Sequence, residues 1–364
     1  MDSSWCAALC CREETLIKFL NKRFPNEHYP SIIIHFYYFL ISFTFCYLYY
    51  HKFIVNADFY STSSSGGIYA VAGFEAMKPV QFRILIPFIF KAVQSILFIF
   101  YPIPDRALFF LITILICYFI LLSFYFLLNE YFKSRATNCW MAAIIIYPMV
   151  WNYIIMNGQF FYMDFSVLLV IILGYYTIIT NKNKWLLVIF FIGILNHPSV
   201  GYLIIAYVLF NYKKLFKAKT ILFILLMSIL YVGAYRFMDF IFPKTAGYFI
   251  IYNLPRNLNI QNLIPVHVFI RDLLFNFGGL HFIVLLLFLT GLWKRYRGPM
   301  LYINLVIIPY VISVLFNFSI EEMRNYIAII PFIVISGLLF LSTFENSFLK
   351  PWDKIYTPKK EYSK

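Results

Sequence analysis

The chain has 364 residues, 62% of them hydrophobic, 22% aromatic and 13% charged, and no soluble fold of that length has enough interior to hide so much apolar surface. The net charge of +14 is not that of a nucleic-acid binder, because the lysines and arginines stand in short clusters between apolar runs and at the termini, the distribution of a multi-pass membrane protein. Among the six cysteines, no pair has zinc-ligand spacing and no disulfide framework is expected.

In chain order, residues 1–30 are charged and interrupted, carrying Arg12, Lys18, Lys22, Arg23 and the cluster Cys6, Cys10 and Cys11. They lack the apolar core of a cleavable signal, so the first span is expected to direct insertion. Apolar runs of crossing length, about 17 to 25 residues, follow at 31–50, 107–128, 139–155, 165–180, 220–237, 273–293, 300–316 and 326–342. Two segments are ambiguous. Residues 84–101 carry Lys91 between Pro87 and Pro102, and residues 185–210 are interrupted by the NHPS sequence Asn196 to Ser199.

Charge and parity decide between the two arrangements. The N-terminal segment, the run Lys213, Lys214, Lys217 and Lys219, the cluster Lys294 to Arg297 and the tail share one side by the positive-inside rule. If 84–101 crosses and 185–210 is one span, Lys133, Arg135, Lys182 and Lys184 fall on the wrong side. If 84–101 lies along the outer interface and 185–210 is a hairpin of two half-helices turning at NHPS, every loop obeys the rule. Broken helices are tolerated at membrane depth where they line protein rather than lipid. The expected fold is therefore all-α and polytopic, with about 8–10 transmembrane segments including the short hairpin, plus an interfacial helix in the first external loop. Its divisions are a cytoplasmic segment 1–30, a transmembrane domain 31–343 and a basic cytoplasmic tail 344–364. The location implied is a plasma membrane, bacterial inner membrane by type, with both termini cytoplasmic.

On this topology the polar residues gather outside. Ionisable groups in or beside spans are costly, which makes them functional candidates. Asp58, near Tyr60 just past the first span, reads as a general base or as a solvated turn cap. Arg83 stands where polar loop becomes apolar helix, to bind a lipid phosphate or to snorkel to headgroups. Asp164 ends the loop NGQFFYMD, which also holds Gln159, and starts a span; it reads as an N-cap and as a site residue, roles that can coexist. His197 beside helix-breaking Pro198 reads as a cavity lining or as a satisfied structural histidine. Glu321, Glu322 and Arg324 precede the last span, where Glu321 and Arg324 can pair locally or Arg324 can reach an anionic ligand. There is no nucleotide-binding loop and no Cys/His cluster, so no metal site or cofactor is assigned, and nothing in the sequence supports a divalent metal.

The order of these features resembles the GT-C superfamily of membrane glycosyltransferases, the mannosyltransferase-like, polyprenyl-phosphate-sugar-dependent enzymes with an acidic residue in the first external loop. The resemblance rests on Asp58 with Tyr60, Arg83 with Pro87, the aromatic loop Phe160 to Asp164, the break NHPSVG and the segment Glu322 to Asn325, which is similar to bacterial members of this layout. It departs from the family pattern in having Asn196-His197-Pro198 where many members have Thr-Arg-Pro, one clear loop aspartate instead of a pair (leaving Glu75 as a second acid), and no large external domain. The resemblance implies transfer of a sugar from a polyprenyl-phosphate donor to a hydroxyl of a glycan or lipid acceptor. Asp58 would be the base, with inversion at the anomeric carbon, and Arg83, Arg324 and His197 would stand beside the phosphate. Tyr60, Gln159, Asp164 and Glu322 would contribute to substrate binding, with membrane lipids as the surrounding partners. Two other classes fit the composition: a polymerase or ligase of lipid-linked polysaccharide, favoured by Lys244, Arg256 and Arg271 in the long loop 238–271, and a lipid or glycan transporter, disfavoured because the NHPS break has no partner break elsewhere.

Overall fold

The computed structural model describes residues 32–56, 59, 67–76, 80–99, 101–155, 164–242, 271, 279–296, 298–317, 323–344, 347–353 and 355. Among them there is no β-strand, only an isolated antiparallel bridge between Phe132 and Pro351, and five helices are long and apolar enough to cross a membrane. The protein is an all-α polytopic membrane protein.

The long spans are α1 (Ile32–Lys52), α4 (Asp105–Tyr131), α5 (Arg135–Ile155), α9 (Ala218–Ile241) and α11 (Met300–Asn317). The shorter apolar helices are α3 (Leu85–Phe98), α6 (Asp164–Ile179), α7 (Asn183–Ile194), α8 (Tyr202–Phe210), α10 (Leu280–Leu289) and α12 (Asn325–Leu341). Helix α2 (Ile68–Ala72) is one short turn in the first loop. Ridge-forming aromatics fill the core: Phe45 and Tyr49 of α1 meet Phe165 of α6 edge-on at 5.4 and 5.0 Å, the geometry aromatic quadrupoles favour.

Contacts along the helices fix the topology. Helices α1 and α4 are antiparallel, with His35 bonded to Tyr118 at 2.5 Å and Tyr50 against Phe110 at 5.1 Å. The chain from 53 to 104 therefore leaves and returns at the same end, and α3 between them does not cross. Its first amide donates to the Leu195 carbonyl at 3.0 Å. Near its far end Gln94 donates to Asp105, the first residue of α4, at 2.6 Å and to the Tyr69 hydroxyl at 2.8 Å. Ile86, Pro87 and Phe90 are buried while Ile96 and Phe98 are exposed. This is the non-crossing course expected from charge parity.

Residues 185–210 form the expected hairpin. Helix α7 rises antiparallel to α6, the chain turns at Asn196 to Ser199, and α8 returns, so that the Tyr207 hydroxyl meets the Asn183 side chain at the start of α7. Three glycines let these short helices nest. A Cβ on Gly174 would lie 2.4 Å from Leu203 Cδ1, one on Gly193 2.5 Å from Val170 Cγ1, and one on Gly201 2.8 Å from the Tyr231 ring.

Helix α5 is irregular because Pro148 lacks the amide a continuous helix needs. The chain passes from α-helix through a 3₁₀ stretch and ends in a π-helical turn, Trp151–Ile155, with the Asn152 side chain donating to the Pro148 carbonyl at 2.7 Å.

The turns with clustered lysine share one end. The Tyr131 hydroxyl, at the foot of α4, bonds Tyr175 of α6 at 2.6 Å and the Met300 carbonyl of α11 at 2.9 Å; Tyr212 packs on Tyr302 at 4.9 Å. The turns carrying Lys133, Lys182, Lys213 and Lys294 thus lie together. Residues 347–355 fold back over this end: Lys133 N donates to the Lys350 carbonyl at 2.7 Å, Trp352 N to the Tyr131 carbonyl at 2.9 Å, and Trp352 Nε1 to the Asn129 carbonyl at 2.8 Å. They satisfy carbonyls at the end of α4 that have no partner within the helix, and Leu349 and Ile355 are buried in the process.

Candidate functional site

At the opposite end, polar side chains from separate stretches of the chain converge. Helix length sets their depth. Helix α6 has 16 residues, about 24 Å of rise, which is shorter than the roughly 30 Å hydrocarbon layer. Asp164, in its first turn, is buried. The turn of the α7–α8 hairpin lies at the same depth, because Ser166 Oγ donates to Asn196 Oδ1 at 3.0 Å.

The Asp164 carboxylate accepts a hydrogen bond from the Tyr153 hydroxyl at 2.6 Å; the π-helical turn of α5 brings that tyrosine round to it, and such turns recur at functional positions. The Tyr310 hydroxyl of α11 faces Asp164, Tyr202, Tyr326 and the Ser199 side chain and donates to the Asn325 carbonyl at 2.5 Å. Position at a helix N-terminus also favours the Asp164 charge.

His197 caps the turn that opens α8. Its Nδ1 accepts the Ser199 amide at 3.1 Å and lies 2.8 Å from Ser199 Oγ. A backbone amide can only donate, so Nδ1 is the unprotonated nitrogen and the neutral ring carries its proton on Nε2. In this geometry the neutral ring has Nε2–H left as a hydrogen-bond donor. Tyr231 of α9 donates to the Pro198 carbonyl at 3.1 Å and packs on Tyr235 at 4.8 Å.

Arg83 joins the same group from the first loop. It is half-buried, immediately precedes the segment whose Leu85 amide is bonded to the Leu195 carbonyl, and stands beside the Tyr235 hydroxyl. Phe82 packs on Tyr235 at 5.0 Å and Gln81 donates to Asp239 at 3.2 Å, so the turn Val80–Phe82 is fixed against α9.

The structure thus brings together Arg83, Asp164 and His197 of the residues singled out in the sequence, and puts the Arg324 backbone in the adjoining turn Met323–Ile329. Asp58, Tyr60, Gln159 and Glu322 lie outside the described residues, as does the Arg324 side chain. Glu75 is exposed in the first loop, its amide bonded to the Ala70 carbonyl at 2.9 Å. Sequence reasoning missed Tyr153, Ser199, Tyr231, Tyr235 and Tyr310. Among 30 tyrosines nothing marks these four out, although Tyr231 and Tyr235 share a helix face by spacing and Ser199 lies within the NHPS break. Among the described residues no group of three or more His, Cys, Asp or Glu side chains could hold a metal ion. No protein-family model, curated protein or solved structure matches the chain.

Proposed function

We propose that this protein is a membrane glycosyltransferase of the GT-C type that moves a sugar from a polyprenyl-phosphate donor to a hydroxyl of a glycan or lipid-linked acceptor. In this reading the end with the clustered lysines is cytoplasmic, as the positive-inside rule requires, and the polar cluster faces the other side of a plasma or bacterial inner membrane. The observation that supports the reading is that Arg83, Asp164 and His197, from three distant stretches, are linked through shared neighbours: Arg83 beside Tyr235, Tyr231 on Pro198 and Ser166 on Asn196.

The chemistry divides among named groups. Asp58 takes the proton of the acceptor hydroxyl as its oxygen attacks the anomeric carbon. The bond from that carbon to the phosphate oxygen breaks, the configuration inverts, and polyprenyl phosphate leaves. Charge that develops on the bridging oxygen is stabilised by Arg83 and Arg324, placed in advance where water is scarce, with the His197 Nε2–H as a neutral donor. Asp164, oriented by Tyr153, accepts hydrogen bonds from sugar hydroxyls together with Gln159, Tyr60 and Glu322.

The test is purified protein given a panel of polyprenyl-phosphate sugars, with wild type compared to Asp58→Asn. Transfer by wild type that falls by about 10²-fold or more in the variant fits general-base catalysis. Equal transfer by both removes Asp58 from the mechanism. Absence of transfer from any donor moves the protein to the polysaccharide polymerase or transporter class.

A further inference from the structure

The two turns at the foot of the hairpin meet as one surface of a single charge. The Asn183 side chain at the start of α7 contacts Tyr207 near the end of α8, and Tyr207 packs on Phe223 of α9 at 4.7 Å. The turn 180–184 is thereby joined to the turn 211–219. The first brings Lys182 and Lys184, the second Lys213, Lys214, Lys217 and Lys219, all exposed. From 165 to 238 the sequence contains no aspartate or glutamate, so no acid from these helices offsets them. Of the acids at the neighbouring foot of α4, Asp353 is bonded to Lys133 at 2.8 Å and Glu130 is half-buried beside Tyr131.

Two aromatic residues project from the same surface. Trp185 is 63% exposed and Phe216, in the middle of the lysine run, is 96% exposed. An aromatic ring among lysines at this end suits the apolar edge of a bilayer, where it can dip in while the ammonium groups stay among headgroups.

We infer that the paired turns at the base of α7, α8 and α9 form a binding site for anionic phospholipid headgroups, with Phe216 and Trp185 seated at the acyl boundary and the lysines on the lipid phosphates. The charge is complementary, the geometry lies at the membrane surface, and each lysine near such a surface strengthens attraction to anionic lipid roughly fivefold. This site is at the other end of the molecule from the polar cluster and does not depend on the reaction proposed there.

The experiment reconstitutes the full-length protein in bilayers and measures the association of spin-labelled phosphatidylglycerol relative to spin-labelled phosphatidylcholine. Wild type is expected to prefer the anionic lipid by about fivefold or more at low salt, with the preference falling as salt screens it. The variant with Lys213, Lys214, Lys217 and Lys219 all changed to Gln is expected to approach a ratio of about one, with its melting temperature recorded to confirm folding; Phe216→Ser is expected to weaken both lipids together. A ratio unchanged in the four-Gln variant overturns the inference. So does an equal loss on neutralising Lys294 and Arg295, which would make the preference a diffuse property of the whole end. If the four-Gln variant does not fold, Lys182→Gln with Lys184→Gln is used in its place, and an unchanged ratio there overturns the inference equally.

Discussion

Gly193→Ala tests whether the hairpin is packed as described. In a helix interior this change ordinarily stabilises by about 1 kcal/mol, because glycine has more freedom to lose on folding. At Gly193 the new Cβ would lie 2.5 Å from Val170 Cγ1, 2.8 Å from Val200 Cγ1 and 3.1 Å from Val200 Cγ2, whereas apolar carbons prefer about 3.5–4.0 Å. Both valines are buried and β-branched, with little freedom at χ1, and they press from two different elements. The backbone must give by about 1 Å, an overpacking cost of about 1–3 kcal/mol that exceeds the gain in propensity. The Gly193 carbonyl accepts the Asn196 and His197 amides at 2.9 and 3.0 Å, so the displacement passes directly into the turn that holds His197. Gly233→Ala is the control: its Cβ meets nothing within 4 Å, and it should be neutral or stabilising. Thermal unfolding of both variants in the same bilayer mimic, followed by tryptophan fluorescence, should put Gly193→Ala below wild type and Gly233→Ala at or above it. The packing account is refuted if Gly193→Ala melts with or above Gly233→Ala.

Two further substitutions probe the polar cluster. Asparagine at 197 can still accept the Ser199 amide, so His197→Asn should melt within about 0.5 kcal/mol of wild type while His197→Ala loses about 1 kcal/mol of capping; equal melting of the two variants would show that Nδ1 is not the cap. Tyr153→Phe removes a donor from a buried carboxylate and should cost about 1–3 kcal/mol. In a double-mutant cycle with Asp164→Asn, a coupling near zero would show that the 2.6 Å contact contributes nothing to stability.

The non-crossing course of α3 and the hairpin of α7 and α8 were both legible in the sequence, because the loop lysines leave only one consistent parity and because Pro198 breaks a helix wherever it stands. Asp164 and Arg83 were legible for the cost of putting charge beside a span. What could not be read was orientation. Nothing local says that Pro148 ends α5 in a π-helical turn that aims Tyr153 at Asp164, or that the amide of Ser199 fixes the tautomer of His197; both depend on which backbone donors are already in use. Nor does the basic composition of the tail reveal that Lys350 and Trp352 close the end of α4. That depends on the orphan carbonyls of Asn129 and Tyr131, a requirement of the partner helix and not of the tail.

The shortness of α6, α7 and α8 links fold to site. Helices of 16, 12 and 9 residues rise about 24, 18 and 14 Å, so against a hydrocarbon layer of roughly 30 Å they leave thickness on that side to be filled, and lipid cannot fill it where backbone and charge are exposed. The elements available are α3 and the turns on either side of it. Helix α3 is held at one end by the bond from Leu85 to Leu195 and near the other by the Gln94, Tyr69 and Asp105 cluster, in which Tyr69 donates to Asp105 at 2.8 Å and Lys91 lies 3.7 Å above the Tyr69 ring. Pinned at both ends, α3 holds the Arg83 turn at its start against the hairpin, with Ile86, Pro87 and Phe90 buried and Ile96 and Phe98 exposed. The turn that carries Arg83 runs directly into α3, which is held to the hairpin through Leu195, so anything that loosens α3 should act on Arg83 before it acts on the spans.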